Sequence, residues 1–259
     1  MHKLSLVPSR APSHIDLSNH FVVGVTLLLL LLLFPACGDE EPIRPGISAN
    51  AIMPLGASRV EGARPDFESY RYELWKLLTD GDYDFDFIGT QEDEAAYPEY
   101  NGLMFDRDHE GFGGYTSGQI LANLQGKLSA DNAPDIVLFS SPGGNDALQN
   151  LSYQEALANV NEVIDLLQQA NEEVTIILEQ LAPARSDIMT PQLADFFNRM
   201  QQDVVTIAQE ESTPSSNIIV VDMAAGFSDA YLADDVHYNE AGAEFIADRY
   251  FSVLESILR

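Results

Sequence analysis

Short hydrophobic runs alternate with longer amphipathic segments from about residue 50 to the end of the chain. Each run has the length of one buried strand, and the runs are Ala51–Leu55, Phe85–Ile88, Ile136–Phe139, Val174–Leu178 and Ile218–Val221. Strands that alternate with helices are typical of a parallel β-sheet covered by helices on both faces. We therefore predict an α/β fold around a five-stranded parallel sheet.

The segments between these runs repeat hydrophobic residues with the period of a helix. In Phe67–Leu78 the apolar side chains share one stripe, and the same spacing assigns Trp75 to the core rather than to a sugar-binding surface. Start signals also predict helices, because Ser152 stands three residues before a glutamate and Thr190 precedes a proline. The remaining predicted helices are Ser117–Leu128, the segment up to Ala170, the segment up to Glu210 and the segment that starts at Asn239.

Polar residues suited to chemistry follow several of the predicted strands. Ser58 follows the first strand, Asn145 follows the third within SSPGGND, and Asp234 and His237 share the loop LADDVHYNEAG. In an open parallel sheet, ligands bind beyond the carboxyl ends of the strands, where these loops should meet. A carboxylate can orient a histidine that takes a serine proton, and an asparagine amide can donate to an oxyanion.

Each of these features alone has a simpler structural explanation. A serine after a strand usually closes a turn, Asn-Asp after glycines is a common turn, and Asp-x-x-His is a common helix-start signal. Together they support the hypothesis of a hydrolytic site, because each stands at a strand end or a helix start of the same predicted sheet. The stretch DHEGFGGYTSGQI, predicted as a glycine-rich turn before a helix, could add a backbone N–H donor.

Four blocks, PLGASRVEG, HEGFGGYT, PGGND and DDVH, resemble those of the SGNH hydrolases, also called the GDSL family. The resemblance extends from about Ile52 to the C-terminus and implies a three-layer α/β/α sandwich of flavodoxin-like type. It implies that Ser58 is the nucleophile and that Asp234 and His237 are the acid and the base. It also implies that Ser58, Gly114 and Asn145 donate the hydrogen bonds of an oxyanion hole.

The nucleophile block departs from the family pattern at two positions. Ala57 stands where the family usually has aspartate, and Arg59 stands where an apolar or β-branched residue is typical. The Gly-x-Ser-x-Gly elbow of the α/β-hydrolases is absent because residue 60 is valine.

Within the family, HEGFGGYT, DFIGTQ and SYRYELW are similar to the acetylxylan-esterase branch. This similarity implies a serine esterase, without a cofactor, that removes acetyl groups from a plant polysaccharide or a related oligosaccharide. Two alternatives stay open at this point. One is a lysophospholipase or thioesterase that acts on lipid esters, and the other is a glycan-binding lipoprotein without catalytic activity.

The N-terminal region predicts export from the cell. The apolar run Phe21–Ala36 ends in a small residue directly before Cys37, the single cysteine of the chain, which resembles a bacterial lipoprotein signal. We expect a signal peptide over residues 1–36, a tether over 37–48 and the hydrolase domain over 49–259. Acylation of Cys37 would anchor the domain to the cell envelope; an ordinary secretory signal or an uncleaved anchor are the alternatives.

Charge narrows the range of partners. The chain has 13 Lys and Arg against 41 Asp and Glu, for a net charge of -28, which disfavours nucleic acids and anionic membrane surfaces. An uncharged glycan or other small ester is the expected partner, and a monomer is expected. No metal site is predicted, since DGDYDFDF fails the EF-hand pattern and His109 with Glu110 is interpreted as turn structure.

Overall fold

The described part of the chain begins one residue before the first predicted strand. A computed structural model describes residues 50–258. The predicted signal peptide, the candidate acylation site Cys37 and the predicted tether lie outside the described residues. Within 50–258, no helix combines the length and the apolar character that a membrane span requires.

The five hydrophobic runs form strands, together with two short strands that the periodicity does not show. In chain order the strands are β1 (Ala51–Gly56), β2 (Asp86–Phe87), β3 (Gln91–Glu92), β4 (Asp108–Gly111), β5 (Ile136–Phe139), β6 (Thr175–Gln180) and β7 (Ile218–Asp222). They form one sheet in the order β3-β4-β1-β5-β6-β7. β2 pairs with the start of β1, at Ala51 and Ile52, and β4 pairs with the end of β1, at Leu55 and Gly56. All pairs are parallel except β3 with β4.

The interpretation of His109 and Glu110 as turn structure is wrong, because both residues belong to β4. Glu110 lies opposite Leu55 at the end of β1, and His109 pairs with Gln91 on β3. The sequence DHEG has low β-propensity, so the strand forms through its pairing with β1 and not through a local preference.

Helices cover both faces of the sheet. They are α1 (Ser58–Glu61), α2 (Arg71–Asp80), α3 (Ser117–Leu124), α4 (Gly144–Leu148), α5 (Tyr153–Ala170), α6 (Pro191–Glu211) and α7 (Glu240–Leu254). Side chains of β5 alternate between the two faces: Ile136 and Leu138 pack with α2 and α7, whereas Val137 and Phe139 pack with α3, α5 and α6. This arrangement confirms the predicted three-layer α/β/α sandwich.

The predicted helix starts agree with the structure in four places and differ in one. The helix predicted from Ser117 starts there but ends at Leu124 rather than at Leu128. The side chains of Ser152, Thr190 and Asn239 accept backbone N–H groups at the starts of α5, α6 and α7. The helix predicted from Phe67 begins four residues later, because Phe67 and its neighbour Glu68 form β-bridges with other segments. Trp75 lies on α2 and is 5% exposed, which agrees with its predicted place in the core.

Candidate active site

Ser58 stands at the carboxyl end of β1, where the strand turns directly into α1. All six residues of β1 are buried, so the strand runs through the middle of the protein and ends at the carboxyl edge of the sheet. The N–H groups of Val60 and Glu61 donate to the carbonyl of Ala57 at 3.0 and 2.9 Å, which closes the turn. The turn leaves the Ser58 hydroxyl facing the loops that follow the other strands.

His237 lies between β7 and α7 and reaches across to Ser58. Its Nε2 lies 2.8 Å from the Ser58 Oγ, and its Nδ1 lies 2.7 Å from Oδ2 of Asp234. The other carboxylate oxygen of Asp234 accepts the N–H groups of Val236 and His237, each at 2.8 Å. The short segment DDVH therefore folds around its own carboxylate, and this turn directs the imidazole toward Ser58.

Asp234 is held in its ionised form. Burial acts to raise its pKa, but the hydrogen bonds from the His237 ring and from the Val236 and His237 N–H groups outweigh burial and lower the pKa to about 2. A carboxylate at this position accepts a hydrogen bond from Nδ1–H of His237, so the proton stays on Nδ1. Nε2 is then left as an acceptor for the Ser58 hydroxyl.

Phe67 holds the imidazole from one side. The rings of Phe67 and His237 are stacked, with centroids 3.8 Å apart and an angle of 11° between their planes. The stack limits rotation of the histidine ring out of line with Ser58. No local sequence signal predicts this contact, because Phe67 has helical spacing with its neighbours and the contact joins residues far apart in the chain.

The two other predicted site residues lie after β4 and in α4. Gly114 has φ of +78°, which favours glycine, and Asn145 follows Gly143, whose φ is +69°. The Asn145 side-chain amide donates to the carbonyl of Tyr115 at 2.8 Å, and Gln149 donates to the carbonyl of Gly114 at 3.2 Å. These bonds join the two segments beside each other at the edge of the sheet.

Two N–H groups at this edge are available to a ligand. The amide of Asn145 has a second hydrogen beyond the one that Tyr115 accepts. The N–H of Ser58 belongs to the first residue of a helix and so has no acceptor within that helix. Both Ser58 and Asn145 line one pocket.

The pocket beside Ser58 has a mainly apolar lining. Its lining includes Tyr115, Ile120, Leu148, Leu181 and Phe197. Such a lining suits the apolar part of a ligand. Within residues 50–258, no cluster of three or more His, Cys, Asp or Glu side chains could hold a metal ion.

The fold and these side chains define a class of protein: a three-layer α/β/α hydrolase with serine, histidine and aspartate at the carboxyl edge of its sheet. The chain belongs to the GDSL-like lipase/acylhydrolase family, which matches residues 78–245. This membership confirms the predicted family and, with it, the predicted enzyme class, carboxylic ester hydrolase. The matched region starts after Ser58 and includes Gly114, Asn145, Asp234 and His237.

Similar proteins include further esterases. A multidomain esterase of Ruminococcus flavefaciens is 23% identical to this chain, and the match covers 94% of this chain and 34% of that protein. The chain thus spans about a third of the length of this curated relative. The solved family 3 carbohydrate esterase of Clostridium thermocellum is 28% identical with a TM-score of 0.64, and the match covers 80% of this chain and 96% of that one.

Two further solved structures share the fold. The family 3 carbohydrate esterase from Talaromyces cellulolyticus is 24% identical with a TM-score of 0.69, over 80% of this chain and 97% of that chain. The acetyl xylan esterase AlAXEase is 19% identical with a TM-score of 0.57, over 79% of this chain and 99% of that chain.

Proposed function

We propose that the protein is a serine esterase that removes acetyl groups from an acetylated carbohydrate, an acetylxylan-like polysaccharide or oligosaccharide. The observation that carries the proposal is the line of hydrogen bonds from Asp234 through His237 to Ser58, at 2.7 and 2.8 Å. These distances are within the range that proton transfer between a nucleophile and its base requires.

In the first half-reaction, the Ser58 Oγ attacks the acetyl carbonyl carbon while His237 Nε2 takes its proton. The charge that develops on the carbonyl oxygen is held by the Ser58 N–H and the Asn145 amide, and the resemblance to the family adds the Gly114 N–H as a third donor. The carbon–oxygen bond to the sugar then breaks, and the sugar oxygen takes the proton from His237. The acetyl group remains on Ser58 as an ester.

In the second half-reaction, water attacks the acetyl-enzyme. His237 takes a proton from the water, the same donors hold the oxyanion, and the bond between Ser58 Oγ and the acetyl carbon breaks. Ser58 regains its proton from His237, and acetate leaves. Asp234 stays ionised throughout and stabilises the imidazolium in both steps.

Three observations support an uncharged carbohydrate ester as the substrate. The net charge of -28 disfavours a polyanionic substrate. The 28%-identical solved relative is a family 3 carbohydrate esterase. The pocket beside Ser58 has a mainly apolar lining, which suits an acyl group, with polar Ser58 and Asn145 in the same lining.

The export of the domain belongs to the same proposal. The apolar run before Cys37 supports cleavage at that cysteine and its acylation, which would place the esterase on the cell envelope, where polysaccharide is encountered. The mass of the mature protein tests this step. An increase that accounts for acyl chains on Cys37, lost in Cys37→Ser, is the expected result, and an unmodified thiol would exclude the anchor.

Acetate release from acetylated xylan and from an aryl acetate tests the activity. Wild type should release acetate from both, and Ser58→Ala should lose at least about 10³-fold in kcat/KM. Ser252→Ala is the matched control, since Ser252 is an exposed serine on α7 that bonds only to the Asp248 carbonyl.

An acyl series from acetate to octanoate separates the remaining alternative substrates. The rate should be highest for acetate, whereas a maximum at octanoate would replace the proposal with a lipid esterase. A folded wild-type protein that hydrolyses none of these esters, but binds acetylated xylan, would instead support a glycan-binding protein.

A further inference from the structure

Arg59, which follows the nucleophile in the chain, is buried and bonds to loops on the opposite side of the site. Its side chain donates from Nε to the carbonyl of Val236 at 2.8 Å, and from Nη1 to the carbonyl of Ala182 at 2.8 Å. A third donor, Nη2, reaches the carbonyl of Pro183 at 3.2 Å. The arginine is 7% exposed, so these carbonyl groups replace water as its hydrogen-bond partners.

Arg59 contacts the residues on both sides of His237 in the sequence. Val236 is the residue before His237, and Tyr238 is the residue after it. The Arg59 guanidinium carbon lies 4.8 Å from the centre of the Tyr238 ring, in the geometry of a cation–π contact. One side chain that leaves the backbone next to Ser58 thus contacts both neighbours of His237.

Glu179, a fully buried acid, lies beyond Ser141 from Arg59. Burial raises the pKa of Glu179, and hydrogen bonds from Tyr250 and Ser141 together with the charge of Arg59 oppose that rise. Arg59 Nη1 lies 3.3 Å from the Ser141 hydroxyl, while the Ser141 N–H donates to Glu179 Oε2 at 2.7 Å. The other Glu179 oxygen accepts the hydroxyl of Tyr250 at 2.6 Å. A buried guanidinium needs such a partner, because peptide carbonyls satisfy its donors but not its charge.

The turn that carries Ser58 needs support of this kind. α1 has four residues, and its N-cap is Ala57, which makes no side-chain capping bond. An isolated helix of one turn is unstable, so tertiary contacts must set the position of α1. Arg59 provides contacts from inside this turn to the histidine loop.

We infer that Arg59 is a positioning residue that holds the His237 loop at hydrogen-bond distance from Ser58. The inference rests on the proposed esterase function. It assigns a role to one of the two residues by which the nucleophile block departs from its family.

Substitution of Arg59 in the full chain tests the inference. Arg59→Ala should lower kcat for an aryl acetate by about 30-fold or more, with KM changed less than threefold, because the apolar side chains that line the pocket remain while the Ser58–His237 line is lost. Arg59→Lys should retain an intermediate kcat, since one ammonium cannot span both loops. Millimolar guanidinium should restore at least fivefold in Arg59→Ala, because Arg59 lines the open pocket beside Ser58.

Arg71→Ala is the matched control for the loss of a buried guanidinium. Arg71 is fully buried and donates to the carbonyls of Val60 and Glu61 and to the carboxylate of Asp93, but it has no hydrogen bond to the His237 loop. It should lower the melting temperature as Arg59→Ala does, with a smaller loss of kcat and no recovery in guanidinium. Equal losses of kcat in both variants, or Arg59→Ala within twofold of wild type, would overturn the inference.

A second readout separates this inference from the esterase proposal. The proton that His237 Nδ1 shares with Asp234 should give a far-downfield NMR signal in wild type, because a short bond to a carboxylate deshields it. Arg59→Ala should broaden or shift that signal, and Arg71→Ala should not. An inactive wild type with this pattern would refute the esterase and keep the positioning role, whereas an unchanged signal in Arg59→Ala would refute the positioning role alone.

Discussion

Residues 50–258 contain two histidines, His109 and His237, and the structure gives them opposite surroundings. His109 lies within β4 and is 2% exposed, and its Nδ1 accepts the N–H of Gly111 at 3.0 Å. His237 lies in a loop at the carboxyl edge of the sheet, between a carboxylate and a hydroxyl. Both histidines have acidic residues within three positions in the sequence, so proximity in the chain does not distinguish them.

The difference shows what makes a histidine available for proton transfer. Burial, aided by the charge of Arg71, lowers the pKa of His109 to about 2, so that its ring stays neutral and serves as a fixed acceptor. His237 lies between a carboxylate partner, Asp234, and a hydroxyl partner, Ser58, that can supply the proton. Charge partners and access, more than sequence neighbours, separate a structural histidine from a proposed base.

Substitution of each histidine is the most direct test of this contrast. His237→Ala should reduce kcat/KM for an aryl acetate by at least about 10³-fold, because within residues 50–258 the Ser58 hydroxyl bonds to no other side chain that could take its proton. His109→Asn, which keeps an acceptor for the Gly111 N–H, should remain within threefold of wild type at pH 8. A His109 variant that loses as much activity as the His237 variant would remove the distinction.

The carboxylate partner gives the next largest expected effect. Asp234→Asn keeps the size of the side chain but removes the charge that stabilises the imidazolium and fixes the proton on Nδ1, so kcat should fall by about 10²-fold or more. Because the Asp234 pKa is about 2, wild type should show no loss of activity from protonation of Asp234 above about pH 4. Restoration of Asp234→Asn activity at low pH would contradict this assignment.

Much of the fold could be predicted because periodicity reports burial. The run Ile136–Phe139 forms a strand with the predicted limits, and each of its residues is buried. The strand at Asp108–Gly111 could not be predicted in this way. Its residues are polar or small, and the strand forms because its end pairs with β1 and its start pairs with β3.

The candidate site shows a similar division. Ser58, Asp234 and His237 were found because each stands at a strand end or helix start with its own local signal, and the structure brings all three together. Arg59 and Phe67 carry no such signal. Their contacts, to Val236 and to His237, join residues separated by more than half of the chain, and only the packed structure shows them.

The neutral state of His109 predicts a pH dependence of stability. Its pKa in the folded protein is lowered, to about 2, so the unfolded chain binds a proton below about pH 6.5 that the folded protein does not. This group therefore contributes stability that is present above pH 6.5 and is lost as the pH falls. Between pH 7 and pH 5 the loss should be about 2 kcal/mol.

Urea unfolding at the two pH values measures this contribution. His109→Asn removes the titrating group, so the fall in the free energy of unfolding from pH 7 to pH 5 should be smaller in the variant by that amount. Subtraction of the variant from wild type also cancels the carboxylates, which titrate in both proteins. An identical fall in both would mean that His109 accepts a proton in the folded state.

The ring stack on His237 gives the smallest expected effect and tests the part of its surroundings that carries no charge. Phe67→Leu keeps an apolar side chain but removes the flat ring 3.8 Å from the imidazole, so the histidine can rotate away from Ser58. We expect kcat to fall by about fivefold with KM unchanged, and Phe67→Tyr to stay within twofold, since a ring is kept. Equal activity of the leucine and tyrosine variants would show that apolar contact alone holds the imidazole. In that case the hydrogen bonds to Asp234 and Ser58 would be sufficient to orient His237.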